Sequence, residues 1–278
     1  MDATAYAAAW LRDASLDDLN ADIHDGASAS ELAGRAAGIR DLMFDTLYPQ
    51  ARPAAGTRAL EFGSGVGWIM QAMAEGFGLE RVVGLDISRA IATQGRRRVK
   101  DPRVAFTVYD GFRFPFRDDT FPTVYSTSAI HHVEKHVAFL LFQEMYRVLA
   151  PGGHAVLQVL SVHHIPRSVT PYEKECWNHV RKEPVYWHHY YALDELVVLF
   201  SEVLGVDDLD VKPWFGIDCF FVHFSKRTGR RFLRPELQGL TYPERLRADA
   251  AAVSTPLEAP ASERRGLGRA LLGRLRGR

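Results

Sequence analysis

Cysteine is scarce in this chain, with only Cys176 and Cys219 among 278 residues. Two thiols make neither a disulfide framework nor a thiolate metal cage, and both are expected to be reduced. No run of eighteen apolar residues occurs, so no membrane-spanning helix is expected. The opening MDATAYAAAW lacks a basic leader region and meets Arg12 and Asp13 at once, unlike a cleavable signal. The expected location is cytoplasmic. Internal repeats are absent. The formal net charge is zero, which removes any global argument for a polyanionic partner.

Charge is nevertheless uneven. Residues 226–278 hold thirteen Lys or Arg against five acids, so the rest of the chain is equally acidic. Arg264 to Arg278 interleaves leucines with Arg and Gly. An amphipathic helix on anionic lipid would use that pattern, but four glycines oppose helix, and a solvated, partly disordered tail is the simpler expectation.

The most informative segment is EFGSGVG, Glu61 to Gly67, after the apolar pair Ala59-Leu60. Glycine in a turn from strand to helix permits positive φ and lets a ligand approach the backbone. A second apolar run, Val82 to Leu85, ends in Asp86, about twenty residues on, where a carboxylate can accept from both hydroxyls of a ribose. The pair reads as a nucleoside site. A dinucleotide fingerprint would need glycine at 68 or 70, and those positions hold Trp68 and Met70.

From 57 to 224, strand-like runs alternate with helix-length segments, as in a parallel sheet covered by helices on both faces. Strands are expected near 57–62, 81–86, 104–109, 123–127, 154–161, 209–214 and 219–224. Helices are expected near 68–76, 88–99, 137–149 and 193–204. An N-terminal helical arm (1–50, with periodic apolar residues at 6–11 and 29–48) precedes the core (51–225). It either lids the site, through Tyr6, Trp10 and Tyr48, or packs on the sheet. A cap insertion (162–191) follows the fifth strand, and 226–278 form the basic extension.

The acid-x-G-x-G-x-G pattern resembles motif I of the class I S-adenosylmethionine-dependent methyltransferases (methyltransferase type 11-like). Three further segments share the resemblance. These are Asp86 after the second strand, YDGFRFPFRDDTFPTVYSTSAIHHV from Tyr109 to Val133, and EMYRVLAPGG from Glu144 to Gly153. It covers about 57–160. A glycine triplet alone could make only a tight turn, but four elements agree in order and spacing.

The resemblance implies a Rossmann-like, seven-stranded, mostly parallel α/β sheet of order 3-2-1-4-5-7-6 with the last strand antiparallel. The implied cofactor is S-adenosyl-L-methionine. Its site would use Glu61, Gly63, Ser64, Gly65, Gly67, Asp86, Ile87, Asp110, Gly111, Phe112 and Ser126. Asp110 and the Gly111 amide would read adenine, and Phe114-Pro115-Phe116 would wall its pocket. Pro122 departs from the family pattern, which has Asp there; lacking a backbone donor, it should start its strand.

Ligands in open α/β sheets bind outside the carboxyl ends of the strands. His131 and His132 follow the fourth strand and are the catalytic candidates, His132 as general base, against an alternative of capping or packing. The imidazole- and aromatic-rich insertion offers His163, Tyr172 and Trp187 as substrate contacts. Metal is not expected there. Cys176 and His179 have ligand-like spacing, and His163, His164, His188 and His189 could lie near, but a second compact pair is missing. Histidines adjacent in sequence also point to different faces.

STSAIHH is not the D/N-P-P-Y/F tetrapeptide that grips a planar amino group, and neither cysteine follows the fourth strand in a Pro-Cys setting. The expected reaction is methyl transfer to a small-molecule acceptor, O-methylation of a biosynthetic intermediate, with carbon and nitrogen as neighbouring acceptors. The expected partner is that acceptor rather than nucleic acid, with peripheral membrane contact by the basic tail a minor alternative. RNA or protein methylation guided by residues 226–278 is the alternative enzyme. A cofactor-binding regulator or scaffold without turnover is the alternative outside catalysis.

Overall fold

A computed structural model describes residues 26–167, 169–181, 188–206 and 208–227. The expected helix at 6–11, Trp187 and nearly all of the basic extension lie outside these residues. Among the described residues no helix is long and apolar enough to cross a membrane.

Helix α1 (Ala29–Asp41) opens with a capping box, in which Ser28 and Glu31 satisfy each other's backbone amides. It runs on through a π-helical turn, Leu42–Leu47. The core then alternates β1 (Arg58–Phe62), α2 (Trp68–Phe77), β2 (Arg81–Asp86), α3 (Arg89–Arg98), β3 (Val104–Val108) and β4 (Phe121–Ser126). After them come α4 (Lys135–Val148), β5 (Leu149–Ser161), α5 (Val169–Val180), β6 (Tyr190–Tyr191), α6 (Leu193–Val197), β7 (Asp210–Trp214) and β8 (Cys219–Ser225). The sheet order is β3-β2-β1-β4-β5-β8-β7, with β8 antiparallel to both neighbours. That is the expected order and direction of pairing. The sequence did not announce β6, a two-residue strand that pairs in parallel with the end of β5 and makes the sheet eight-stranded.

Apolar periodicity explains which helix covers which face. Met70, Met73, Ala74 and Phe77 of α2 recur at i, i+3, i+4 and i+7 and are buried with Met43, Phe44 and Tyr125 on one face. Val137, Ala138, Leu141, Phe142 and Met145 of α4 pack on the other face with Leu60, Val124 and Leu157. Tyr48 belongs to the first face. It is fully buried, its hydroxyl donates to the carbonyl oxygens of Phe221 (2.6 Å) and Asp210 (3.1 Å), and its ring stacks on His223. Of the two roles expected for the arm, Tyr48 takes packing on the sheet.

Pro122 lies second in β4 rather than first. The register against β5 shifts between Phe121 and Thr123, which spares a prolyl nitrogen from the ladder. Gly153 fits the same irregularity, because a Cβ there would stand 2.7 Å from the Pro122 carbonyl oxygen. β5 accordingly starts at Leu149 instead of after the Pro-Gly-Gly turn.

The EMYRVLAPGG segment acts as a clamp. Arg147 pairs with Glu144 (2.6 Å) and Asp118 (2.8 Å) and donates to the carbonyls of Phe114 and Phe116, while Glu144 accepts from the Phe114 amide. One guanidinium therefore fixes the path of the loop between β3 and β4 through charge-assisted bonds. Arg147→Ala should lower stability by about 2–4 kcal/mol, because it strands Glu144 and two loop carbonyls. Urea unfolding measures this, and a loss below about 1 kcal/mol would mean that the loop holds its course without the clamp.

Candidate active site

The turn after β1 is tied to β2 by the amides of Gly63 (2.8 Å) and Ser64 (3.2 Å), both donating to the Leu85 carbonyl. Its glycines serve different ends. Gly63 has φ +69°, and a Cβ there would meet the Ala129 Cβ at 2.1 Å, so the loop after β4 packs directly on the turn. Gly65 has φ +52° but no atom within 4 Å of where its Cβ would be, so its open side meets space rather than protein. That is the cradle a ligand needs. Gly67 is the left-handed N-cap of α2.

Asp86 closes β2 with one carboxylate oxygen accepting from the Gly65 amide (3.0 Å) and the other from Ser88 (2.9 Å). Burial raises its pKa and these amides oppose the rise. The Ile87 amide is a third donor, and a carboxylate with about four acceptor positions keeps one for a further hydroxyl. Ser88 also caps α3 by accepting from the Ile91 amide.

Glu61 does not face the cleft. It is 2% exposed beneath the turn, paired in register with Gly84 on one side and Tyr125 on the other. The Tyr125 hydroxyl donates to it (3.2 Å), and so does the backbone amide of Met70 in the first turn of α2. Gly67 offers no side-chain cap, so Glu61 caps α2 from below. Burial holds its carboxyl well above the usual range, and the negative charge of Asp86 adds to the rise. Ser64 also turns inward, with its hydroxyl buried beside Gly84 and without a partner; its amide, not its side chain, belongs to the turn.

At the end of β3, Asp110 accepts from the amides of Phe112 (2.9 Å) and Arg113 (2.8 Å), which hold its carboxyl below the ordinary value. Gly111 takes φ +94°. Ile87 and Phe112 pack partly buried against the core. The aromatic wall expected of Phe114 is not there: it is 1% exposed, stacked on Phe62 at 5.7 Å and edge-on to Tyr109. Ser126 is likewise internal, its hydroxyl donating to the Phe62 carbonyl (3.0 Å) and stapling β4 to β1.

Beyond β4 the chain passes through Ser128, at φ +51°, whose amide donates to the buried Gln158 side chain (3.0 Å). It then makes the 3-10 turn Ile130–His132. A strand would send adjacent side chains to opposite faces, but this turn brings the His131 and His132 rings to 4.3 Å. The returning end of the insertion docks here, with the His189 amide donating to the His131 carbonyl (2.7 Å). His188 thereby lies 5.5 Å from His131 and 5.0 Å from His132 between ring centroids. His131 is buried, and burial together with the surrounding imidazoles pushes its pKa well below 6.5, so it stands neutral. His132 is half-buried.

His163 is exposed on the 3-10 segment Val162–Arg167, its amide bonded to Ser161. Tyr172 is on α5, but its side chain, like all of Trp187, is outside the described residues. Sequence reasoning missed Tyr125, Ala129 and Gln158, whose importance depends on strand register. It named His188 only as one of many residues in the insertion.

Comparison with known proteins agrees with this geometry. Residues 59–153 match the family model described as a methyltransferase domain. A demethylmenaquinone methyltransferase from Clavibacter sepedonicus is 35% identical over 115 residues, 41% of this chain and 45% of that protein. Norajmaline N-methyltransferase from Rauvolfia serpentina is 29% identical over 165 residues, 56% and 53% of the two chains. The chain thus spans about half the length of these curated relatives. Haemonchus contortus phosphoethanolamine N-methyltransferase 2, solved with phosphomonomethylethanolamine and S-adenosylhomocysteine, superposes with TM-score 0.52 at 19% identity, over 70% of this chain and 53% of that one. Residues 59–153, which build β1 to β4 and the first part of β5, are thus similar to the methyltransferase-domain family.

Replacing Glu61 tests its buried role. Glu61→Ala leaves the Tyr125 hydroxyl and the Met70 amide without an acceptor and should cost about 2–4 kcal/mol, whereas Glu61→Gln keeps an acceptor for both and should cost under about 1 kcal/mol. The pH dependence has a definite sign. A carboxyl whose folded pKa exceeds 4.5 binds more protons folded than unfolded, so its contribution is most favourable below 4.5 and is lost as pH rises toward the folded value. Glu61→Gln should therefore gain on the wild type as pH climbs above 4.5. A difference that stays flat from about pH 4 to about pH 8 would contradict the buried carboxyl.

Proposed function

We propose that this protein binds S-adenosylmethionine at the glycine turn and transfers its methyl group to an oxygen of a small-molecule acceptor beside the histidine turn. One observation carries the reading: the same five-residue bend presents an open glycine next to a buried ribose acceptor and touches, through Gly63 and Ala129, the loop that bears His131 and His132. Cofactor and acceptor sites thus share a wall. The adenosyl group fits the residues present, with Asp86 for the ribose, Gly65 for close backbone approach, and Asp110 with the Gly111 amide for one edge of the base.

Displacement at a sulfonium methyl needs the nucleophile in line and near contact, and holding two reactants so can lower the barrier by about 7–11 kcal/mol. An alcohol or phenol must also lose its proton, for which a positioned base contributes roughly 10²- to 10⁴-fold. Of the two adjacent histidines, His132 keeps surface to meet an acceptor, while His131 is buried behind it. The relatives described above are named for quinone, alkaloid and phosphoethanolamine acceptors, which supports a small molecule; the neighbouring imidazoles support oxygen.

Gly65→Ala should leave the fold intact at a backbone cost of about 1–2 kcal/mol, since nothing crowds the new methyl group, yet weaken cofactor binding at least about 10-fold by filling the cradle. Titration calorimetry with S-adenosylmethionine reads the effect. Affinity equal to that of the wild type would place the cofactor elsewhere.

A further inference from the structure

We propose that His131, His132 and His188 form a binding site for one divalent first-row transition ion of the zinc class, with its fourth coordination position open toward the methyl acceptor. Their candidate ligand atoms all lie within 4.8 Å of one another. Tetrahedral nitrogen ligands at about 2.0–2.1 Å from zinc stand roughly 3.3 Å apart, so the three rings need to close by about 1.5 Å, within reach of changes in side-chain torsion.

The cluster is assembled, not incidental. His131 and His132 come from the 3-10 turn after β4, and His188 comes from the far end of the insertion, brought there by the bond from the His189 amide to the His131 carbonyl. His131 Nδ1 is buried without a hydrogen-bond partner, an arrangement that leaves the group desolvated unless something occupies it. A cation would. Among the described residues, those that act on His131 electrostatically are themselves imidazoles, His132, His188, His164 and His189. An all-imidazole set suits zinc, copper, iron or nickel, and three protein ligands with one open position are the usual arrangement of a catalytic zinc.

The ion's role rests on the methyl-transfer reading; its binding does not. An acceptor hydroxyl bound at the open position would release its proton to water, and its oxygen would then form the bond to the methyl carbon as the carbon–sulfur bond breaks and its electron pair stays on sulfur. His132 then assists deprotonation through the ion instead of taking the proton itself.

The test uses the full chain, stripped with a chelator and titrated with zinc(II), and with cobalt(II) as a visible probe. One equivalent should bind, and cobalt should give the absorption of a four-coordinate ion. His132→Ala and His188→Ala should each weaken binding on the order of 100-fold, with His132→Gln and His188→Gln as conservative partners and near-ultraviolet circular dichroism reporting the fold. No stoichiometric binding to the wild type would overturn the site, as would binding that persists unchanged in the folded variants. Zinc binding without methyl transfer to any acceptor would instead retain the site and remove the proposed reaction.

Discussion

Two buried carboxyl groups near the carboxyl ends of adjacent parallel strands organise this protein. Asp86 holds the glycine turn by its Gly65 amide, and Glu61 supports the same turn from below by holding the first turn of α2. Burying charge is costly unless amides and hydroxyls meet it, and here Gly65, Ser88, Met70 and Tyr125 supply them. The turn is thereby shaped before any ligand arrives. Preorganised donors need not reorganise when a ligand binds, and that is why a short bend can serve as a cofactor cradle.

The second half of the site depends on a different set of constraints. Gln158 on β5 fixes the left-handed Ser128, Ala129 packs on Gly63, and the insertion returns to the 3-10 turn with the His189 amide donating to the His131 carbonyl. Glu144 and Arg147 of α4 anchor the loop that leads from β3 into β4. Each of these contacts joins segments far apart in sequence without a local pattern, whereas the glycine turn, though also held by long-range contacts such as Tyr125 to Glu61, has a recognisable local spacing.

That difference explains what could be read without coordinates. The glycine turn, Asp86, the alternation of strands and helices and the sheet order were legible because they rest on local spacing and apolar periodicity. Ser88 was legible as a cap for the same reason. Residue type alone does not show which way a side chain points: those of Glu61, Ser64, Phe114 and Ser126 are buried, directed inward by strand alternation or by the turn. Metal is not expected of the insertion's histidines, which lack a second compact pair and whose adjacent side chains should diverge; His131 and His132, read only as catalytic candidates, lie on a 3-10 turn that brings their rings to 4.3 Å beside His188.

Whether one bend serves both cofactor and acceptor is tested most directly by a crystal structure of the protein soaked with S-adenosylhomocysteine. The ribose should sit on Asp86, the chain should pass over Gly65, and the sulfur should face the turn that carries His131 and His132. A nucleoside bound elsewhere, or one lying in the cleft with its sulfur turned away from those histidines, would contradict it.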